Sequence, residues 1–408
     1  MSLVTEIPPA PAVSESGPST CITPTRVRLY AATLLFLEFL LVATWWYGHA
    51  VIANPTIPAM GWDFVVYWSA SALAQTQDAA AAYDWELLRA AEAPLLDHTF
   101  GPFAYPPTFL LLLYPIAAVP FDLALLLASV GGVALYLATV KAAVNEQIVH
   151  WHIPALAFPG IWAALLAGQN SLITAAACGG ALLLMRRSAI AAGACIAVLC
   201  IKPQLGVLFP LLLLCERRWS VIACAAAFSA LFLSLTVLCF GTETFTAFVH
   251  SLAMFREAVA EHAGSTLRGA PTVFGILRTA GAEVPISYAG HTLCALLAVS
   301  ICVWIWSTSA RIALSASALV ACTLLVQPYM IYYDLAWLAI PIALLSVDMA
   351  RHGSTSAERL LLLLTWLVPA HALLVVLTLP SPQIAPLVLL ALLGMIARRH
   401  LRTRRAGG

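Results

Sequence analysis

The chain has 408 residues, of which 62% are hydrophobic and only 10% are charged, and its mean hydropathy is +0.92. Soluble domains are usually about 25% charged, so this chain has too few charges to cover a water-facing surface, and most of it must lie among membrane lipids. The formal net charge of +1 gives no sign of a nucleic-acid partner. We therefore expect an all-α, polytopic helical membrane protein.

The N-terminal part of the chain is predicted to be a tail followed by a first span. Residues 1–25 are rich in Pro and Ser and lack the charged start, apolar core and cleavage site of a signal peptide. We expect them to form a disordered cytoplasmic tail. The apolar run 27–50 is long enough to cross about 30 Å of hydrocarbon. Arg26 and Arg28 beside it indicate a cytoplasmic start, because positive charges collect on that side.

The longest polar stretch, residues 51–104, follows this first span and is predicted to be a large extracytoplasmic loop. It contains GWDFVVYW, residues 61–68, whose aromatic side chains are typical of a short interfacial helix. On such a helix Asp63 and Tyr67 lie one turn apart on one face. Two interpretations are open: Asp63 is a chemical group at the membrane surface, or it only caps the helix.

Closely spaced apolar segments follow, interrupted by a second polar stretch at 241–285 that we also expect to be extracytoplasmic. We predict about 10–12 spans within one transmembrane domain, residues 26–400, ending in a basic cytoplasmic tail, residues 401–408. Both termini are then cytoplasmic, and a bacterial inner membrane is the expected location. Residues 104–142 contain two short apolar segments split at Pro120, which fit either a re-entrant segment or one kinked helix.

Two polar breaks, GQNS at 168–171 and IKPQ at 201–204, separate apolar segments that are short for straight spans. In the first break, Gln169 and Asn170 either satisfy unpaired backbone groups or contact the hydroxyls of a sugar. In the second, Lys202 stands alone between two apolar runs, where an ammonium group needs an anion. That anion is a lipid phosphate, or alternatively a carboxylate of the protein.

Two further polar regions supply candidate site residues. In QPYMIYYDLAW, residues 327–337, Tyr333 and Asp334 start a late helix. They form either an aromatic belt with Asp334 as helix cap, or part of an active site. Arg268, in the second polar stretch, is a candidate phosphate ligand, with a solvated loop charge as the simpler alternative.

Signatures of enzymes that bind soluble nucleotides or act through a zinc or serine motif are absent from the sequence. It contains no G-x-G-x-x-G after a strand, no Walker A loop, no H-E-x-x-H and no nucleophile elbow. A transferase built from this chain would therefore take its donor from the membrane.

Six stretches, in order, carry a resemblance to a known family. They are GWDFVVYWSASALA, AYDWELL, PFAYPPTFLLLLYPIAAVP, GQNSLITAAACGGALLL, AAGACIAVLCIKPQLGVLFPLLLLCERRW and QPYMIYYDLAWLAIP. The ordered set, over about residues 27–347, resembles glycosyltransferase family 87, while 241–285 matches only loosely. The resemblance implies the C-type glycosyltransferase fold, whose large first extracytoplasmic loop corresponds to 51–104 here.

The resemblance also implies an activity: transfer of a hexose, expected to be mannose, from a polyprenyl-phosphate sugar to a lipid or glycan acceptor at the extracytoplasmic face. Transfer of this kind is expected to invert the anomeric centre. Asp63 is then the expected base, Lys202 the group that stabilises the leaving phosphate, and Asp334 a competitor for the role of base. The substrate pocket implied by the resemblance is lined by Tyr105, Gln169, Asn170, Gln204, Tyr333 and Asp334. Tyr67, from its position on the face of Asp63, and Arg268, from its charge, are further candidate substrate-binding residues.

No cofactor or metal is expected, because a lysine suffices to stabilise the phosphate and no carboxylate pair has the spacing of an evident metal site. The alternative function is a transporter or flippase of a lipid-linked sugar, which predicts paired half-helices and polar residues along a whole path. A non-catalytic membrane scaffold is a third reading, but it leaves the isolated Lys202 unexplained.

Overall fold

The computed structural model describes residues 24–54, 57–96, 100–145, 147–262, 264–379 and 381–407. These residues form helices and no strand, which confirms the all-α prediction; residues 1–23 of the predicted tail lie outside them. The helices are α1 (Pro24–Ala50), α2 (Trp62–Thr76), α3 (Trp85–Glu92), α4 (Pro107–Leu113), α5 (Phe121–Val144), α6 (His152–Leu156), α7 (Pro159–Ala167), α8 (Ser171–Leu184), α9 (Ala189–Val198), α10 (Pro203–Gly206), α11 (Leu208–Cys215), α12 (Trp219–Phe240), α13 (Glu243–Phe255), α14 (Gly264–Gly269), α15 (Val273–Thr279), α16 (Val284–Thr308), α17 (Ile312–Val326), α18 (Ala339–His352), α19 (Ser356–Leu377) and α20 (Ala385–Gly407). Short 3₁₀ helices lie at Ala79–Tyr83, Ile116–Ala118, Leu199–Ile201 and Tyr332–Leu338, and a π-helical turn at Arg256–Ala260.

Six helical segments in the described part of the chain are long and apolar enough to cross a membrane. They are Thr25–Ala50, Phe121–Val144, Trp219–Phe240, Val284–Thr308, Tyr332–His352 and Ser356–Leu377. Six shorter apolar segments of 10–17 residues accompany them, and a helix this short does not cross about 30 Å of hydrocarbon alone. The polytopic prediction is therefore confirmed, while the count of about 10–12 spans stays a prediction.

The two apolar segments around Pro120 differ in length. α4 has 7 residues, whereas α5 has 24. A 3₁₀ turn at Ile116–Ala118 and Pro120 separate them, so they do not form one kinked helix. Only α5 is long enough to span, and α4 instead packs beside α2 and α12.

The main hydrophobic core surrounds α17, whose residues 314–325 are all buried. α17 packs against α16, α18 and α20, which explains why a helix apolar on every side occurs here. The fully buried Trp337 donates its indole N–H to the Thr174 hydroxyl at 3.0 Å. This bond fixes the 3₁₀ helix Tyr332–Leu338 against α8, and Asp334 is on that 3₁₀ helix.

A buried ion network fastens α20 to α18 and α19. Arg399 pairs with Asp348 at 2.8 Å and with Glu358 at 2.9 Å, and Arg402 pairs with Glu358 at 3.1 Å. Residues 401–407, predicted as part of a separate basic tail, continue α20 in the structure. Arg399 and Arg402 therefore take part in ion pairs that hold the last helices together.

Three helical segments run from a polar break to an arginine. At 1.5 Å per residue, each carries the chain roughly 20 Å away from its break. The starting residues are Ser171, Lys202 and Asp334, and the arginines reached are Arg186, Arg218 and Arg351, respectively. The polar breaks and the arginines consequently lie at opposite ends of these helices.

Two glycines hold the first polar break against the start of α2. Gly61 and Gly168 have φ of 78° and 72°, in the left-handed region, and the Gly61 N–H donates to the Leu166 carbonyl at 2.8 Å. A Cβ added to Gly168 would lie 2.9 Å from the Cα of Gly61, a backbone atom that cannot move aside alone. This close approach is what brings Asp63 beside Gln169.

Replacing Gly168 by alanine is expected to destabilise the protein by about 2 kcal/mol or more, because the Cβ both clashes and disfavours the left-handed φ. Thermal unfolding of the purified protein in detergent measures the effect. Gly131→Ala is the matched control, because a Cβ at this position on α5 would meet nothing within 4 Å. Equal unfolding temperatures for the two variants would contradict the role given to the glycine contact.

Candidate active site

Five elements meet at one end of the helices: the first two turns of α2, the segment before α4, the break between α7 and α8, the break before α10, and the 3₁₀ helix Tyr332–Leu338. They bring together side chains that are far apart in sequence, and we call this group the aspartate cluster. Its members are Asp63, Tyr67, Tyr105, Gln169, Ser171, Lys202, Tyr333 and Asp334.

Asp63 is not the cap of α2. The helix starts at Trp62 with Gly61 as its N-cap residue, and no side chain caps it. The Oδ2 atom of Asp63 instead accepts a hydrogen bond from Nε2 of Gln169 at 2.7 Å. The Tyr333 hydroxyl is close enough to this carboxylate to favour its ionised form. The side chain therefore faces the other elements of the cluster and is partly exposed.

Gln169 is oriented by two tyrosines. Its Oε1 atom lies 2.5 Å from the hydroxyl of Tyr67 and 3.1 Å from that of Tyr105, and these hydroxyls are 2.7 Å apart. Because Oε1 accepts from tyrosine, the amide must present Nε2 to Asp63. The side chain of Gln169 thus orients the carboxylate of Asp63. This contact differs from both predicted roles, which were a bond to unpaired backbone groups and a contact with a sugar hydroxyl.

Lys202 is buried, with 4% of its side chain exposed, and Nζ donates to Oδ1 of Asp334 at 2.8 Å. The Ser171 hydroxyl donates to the same oxygen at 2.6 Å. Nζ also lies 5.1 Å from the ring centre of Tyr333 and 5.7 Å from that of Tyr105, within range of cation–π attraction. The anions predicted for Lys202 were a lipid phosphate or a carboxylate of the protein, and the structure pairs it with the carboxylate of Asp334.

The backbone on both sides of Lys202, in the IKPQ break, accepts hydrogen bonds from side chains of other segments. Thr108 donates to the carbonyl of Cys200 at 2.8 Å, and Gln327 donates Nε2 to the carbonyl of Gln204 at 2.6 Å. Proline after Lys202 prevents a continuous helix, so carbonyls on both sides of the break need such donors. These two bonds hold Lys202 at the point where α8 and Asp334 meet it.

Asp63 lies on α2, outside the segments that are long enough to span a membrane. Burial raises the pKa of its carboxyl to about 6, although the hydrogen bond from Gln169 and the charge of Lys202 act in the opposite direction. A carboxyl with a pKa of about 6 is ionised near neutral pH and is a better proton acceptor than an ordinary aspartate.

Three other predicted site residues are placed differently. Asn170 is 5% exposed, and neither amide atom has a partner among the described residues. Gln204 is exposed and is linked to its surroundings through its backbone carbonyl. Arg268, on α14, is exposed, and no bond among the described residues joins its side chain to the aspartate cluster.

Sequence reasoning missed Ser171 as a site residue, although it stands in the GQNS break. Its position at the first residue of α8 points its hydroxyl at Asp334, 163 residues away in sequence. A serine at a polar break next to apolar helices is a recognisable signal, but its partner is fixed only by the packing of α8 against the 3₁₀ helix Tyr332–Leu338.

A surface depression of about 630 Å³ lies at the arginine end of the helices, lined by residues that include Arg186, Glu216, Arg218 and Trp219. Among the described residues, no three His, Cys, Asp or Glu side chains are grouped so as to hold a metal ion.

The comparison with known families identifies the chain more closely. A model of glycosyltransferase family 87 matches residues 103–328, more than half of the chain. The matched region contains Tyr105, Gln169 and Lys202, whereas Asp63 and Asp334 lie on either side of it and join the cluster through the fold. No curated protein and no solved structure matches the chain.

Proposed function

The chain belongs to glycosyltransferase family 87 and is a membrane glycosyltransferase, and we propose that it transfers a hexose, with mannose expected, from a polyprenyl-phosphate sugar to a lipid or glycan acceptor. The observation that carries this proposal is the placement of a partly exposed carboxylate, Asp63, and a buried ammonium, Lys202, in one cluster. Transfer from a phosphate-linked donor needs both a proton acceptor and a stabilised leaving group.

In the proposed reaction, Asp63 accepts the proton of an acceptor hydroxyl as the oxygen attacks the anomeric carbon of the hexose. The bond between that carbon and the phosphate oxygen breaks, and the polyprenyl phosphate leaves with the bonding electron pair. Attack and departure on opposite faces invert the anomeric centre. Lys202 balances the charge that develops on the departing phosphate, where a low dielectric makes one positive charge count heavily.

The environments of the two aspartates favour Asp63 as the base. Asp334 is 6% exposed, and its Oδ1 atom already takes hydrogen bonds from Lys202 and Ser171. Asp63 is partly exposed and is oriented by the amide of Gln169. A base needs an accessible lone pair at the reacting hydroxyl, so Asp334 is assigned to holding Lys202 in place.

The donor phosphate is proposed to bind at Lys202. An ammonium group has three N–H donors, and Asp334 accepts one of them. The remaining donors can meet a phosphate oxygen while the pair with Asp334 stays intact or loosens. Asn170, whose buried amide has no partner among the described residues, is proposed to bind a sugar hydroxyl.

The reaction is proposed to take place at the extracytoplasmic side of a bacterial inner membrane. Cytoplasmic ends of membrane proteins carry an excess of Arg and Lys, and Arg186, Arg218 and Arg351 lie at the helix ends opposite the cluster. Arg399 of α20 pairs with Asp348 near that same end. Both termini are then cytoplasmic, and the cluster faces outward.

The pH dependence of transfer follows from the pKa of Asp63. The base must be deprotonated, so kcat/KM is expected to rise with pH through about 6 and to level off above it. Initial rates of hexose transfer by the purified protein, measured between pH 4.5 and 8.5 (roughly the range for carboxyl and histidine titration), give the profile. A rate that is flat across pH 6 would contradict Asp63 as the titrating base.

The proposed activity is tested in sealed proteoliposomes that contain the protein and polyprenyl-phosphate mannose labelled in the sugar. With lipid acceptors extracted from bacterial membranes, the label is expected to move into a new glycolipid or glycan with release of polyprenyl phosphate. Label that crosses the bilayer still bound to polyprenyl phosphate would show a flippase instead. Empty liposomes control for spontaneous transfer and translocation.

A further inference from the structure

Two turns at the arginine end of the helices, the α8–α9 turn and the α11–α12 turn, form one open depression of about 630 Å³. The residues that line it are Arg186, Glu216, Arg217, Arg218, Trp219 and Ser220. Three arginines thus surround the same space, at the end of the helices opposite the aspartate cluster. We call this space the arginine depression.

The close packing of α9 against α12 brings these two turns together. A Cβ added to Gly193 of α9 would lie 2.7 Å from the backbone N of Ala225 on α12, so the two backbones approach more closely than any larger residue allows. Both residues lie within the first two turns of their helices, directly beyond the depression. The helices that follow the two turns therefore fix the turns side by side.

The only carboxylate among the described residues that line the depression does not balance its positive charge. Glu216 accepts a hydrogen bond from Nε of Arg218 at 2.8 Å and lies 3.8 Å from a terminal nitrogen of Arg186. The side chain of Arg217 is exposed and has no partner in the part of the chain that the structure describes. Two guanidinium groups therefore share one carboxylate, and the third is available to an anion from outside the protein.

Arg217 occupies a backbone position that favours glycine. Its φ is 52°, in the left-handed region. Its N–H donates to the carbonyl of Leu214 at 3.0 Å, and the N–H of Arg218 donates to that of Leu213 at 2.9 Å. These two bonds form a Schellman ending of α11, in which the residue with positive φ is usually glycine because a Cβ disfavours this conformation. The protein thus keeps an arginine at a strained position although its side chain makes no bond within the described chain.

The depression opens at a membrane interface. Trp219 lines it and is 61% exposed, and Leu214, in the last turn of α11, is 49% exposed. Exposed tryptophan is typical of the level of lipid headgroups, and α12 begins at Trp219 and is long and apolar enough to cross a membrane. A ligand in the depression therefore lies beside the headgroups of the surrounding lipid.

We propose that the arginine depression binds the phosphate headgroup of an anionic phospholipid. Guanidinium groups bind phosphate oxygens through pairs of parallel hydrogen bonds, and Arg186 and Arg217 are exposed and able to supply them. No side chain caps the start of α12, so its first N–H groups also favour an anion there. With the orientation proposed above, the lipid belongs to the cytoplasmic leaflet. Its binding does not depend on the proposed transfer reaction.

The proposal is tested by titrating the full-length protein in detergent with phosphatidylglycerol and measuring the affinity of the first bound lipid by native mass spectrometry. Arg217→Gly and Arg186→Gln are each expected to weaken this affinity about 5-fold, and the double variant about 25-fold, because each basic residue adds separately to the attraction of an anionic lipid. Glycine accepts the left-handed φ, so Arg217→Gly is expected to unfold, without lipid, at a temperature no lower than that of the wild type. A loss of affinity in this variant is then not a loss of folding.

Arg351→Gln is the matched control. Arg351 is exposed at the same end of the helices but does not line the depression, so the variant is expected to keep the wild-type affinity. A loss in Arg351→Gln as large as that in Arg217→Gly would show diffuse attraction to a charged surface and would overturn the proposal. Unchanged affinity in Arg186→Gln/Arg217→Gly would overturn it as well.

Two further ligands test the chemical class of the bound group. Phosphatidylcholine has a phosphate but no net charge and is expected to bind at least about 5-fold more weakly than phosphatidylglycerol; equal affinities would reject an anionic lipid. Glycerol 3-phosphate has the phosphate without acyl chains and is expected not to displace the lipid at about 1 mM, a concentration that occupies only sites with a Kd near or below that value. Displacement would assign the depression to a soluble phosphate compound and overturn the lipid proposal.

Discussion

Asp63→Asn is expected to lower the rate of hexose transfer by about 10²- to 10⁴-fold, the usual contribution of a positioned general base. Asparagine has nearly the same shape but cannot take up the proton of the acceptor hydroxyl. The loss of rate should appear in kcat, because Gln169, the neighbour that orients the side chain, is unchanged. Initial rates with saturating polyprenyl-phosphate mannose measure it.

The matched control for this variant is Asp122→Asn. Asp122 occupies the second position of α5, as Asp63 does in α2, but is exposed. It is expected to retain wild-type activity. A fully active Asp63→Asn protein, or a comparable loss at Asp122, would reject Asp63 as the base.

Lys202→Met is expected to have two separate effects. It removes the cation proposed for the leaving phosphate, which lowers kcat by about 10²- to 10³-fold on the scale of a lost transition-state donor. It also leaves Asp334 buried without its ion-pair partner, a change that costs about 3–5 kcal/mol in other buried pairs. Activity per folded protein and thermal unfolding in detergent measure the two effects independently.

The double variant Lys202→Met/Asp334→Asn separates folding from chemistry. With both charges gone, the unfolding temperature is expected to return towards that of the wild type, while transfer stays lost. Lys141→Met, at the only other lysine and on the exposed end of α5, is the control and should resemble wild type. Recovery of transfer in the double variant would contradict the phosphate role of Lys202.

Asp334→Asn distinguishes the two candidate bases. This substitution removes the negative charge that pairs with Lys202 and is expected to reduce stability. The folded protein should nevertheless keep most of its transfer activity, with the pH dependence set by Asp63. A loss in the folded fraction as large as that of Asp63→Asn would make Asp334 the base instead.

The sequence was sufficient to predict the all-α fold, because long apolar runs admit few structures other than helices in lipid. It also indicated the polar breaks and nearly all members of the aspartate cluster. A helix places Asp63 and Tyr67 on one face, and that local prediction needs no tertiary knowledge. The structure shows the contacts that the sequence does not: Gln169 bonds to Asp63, and the hydroxyls of Tyr67 and Tyr105 both lie at hydrogen-bond distance from Gln169.

The remaining details depend on long-range packing. The pair Lys202–Asp334 joins residues 132 apart, and nothing in either motif selects a carboxylate over a phosphate as the anion. The contact of Gly61 with Gly168 is readable only from backbone geometry. Arg268, favoured by its charge alone, has an exposed side chain, and no bond among the described residues joins it to the aspartate cluster.

Glu92 illustrates a further limit of sequence reading. In the amphipathic helix α3, a glutamate in the last turn is expected to face water, yet it is fully buried. Its burial follows from the fold of residues 100–105 over α3, anchored by Arg89 on Phe100 and by Glu92 on Gly101. The sequence pattern of α3 therefore does not predict that this glutamate is buried.

A structure of the protein with bound polyprenyl phosphate would show directly where the donor phosphate lies. We expect a phosphate oxygen within about 4 Å of Nζ of Lys202, the usual limit for an ion pair, with Asp63 on the opposite side of the space left for the sugar. A phosphate bound elsewhere, with Lys202 held only by Asp334, would contradict the proposed roles of both residues.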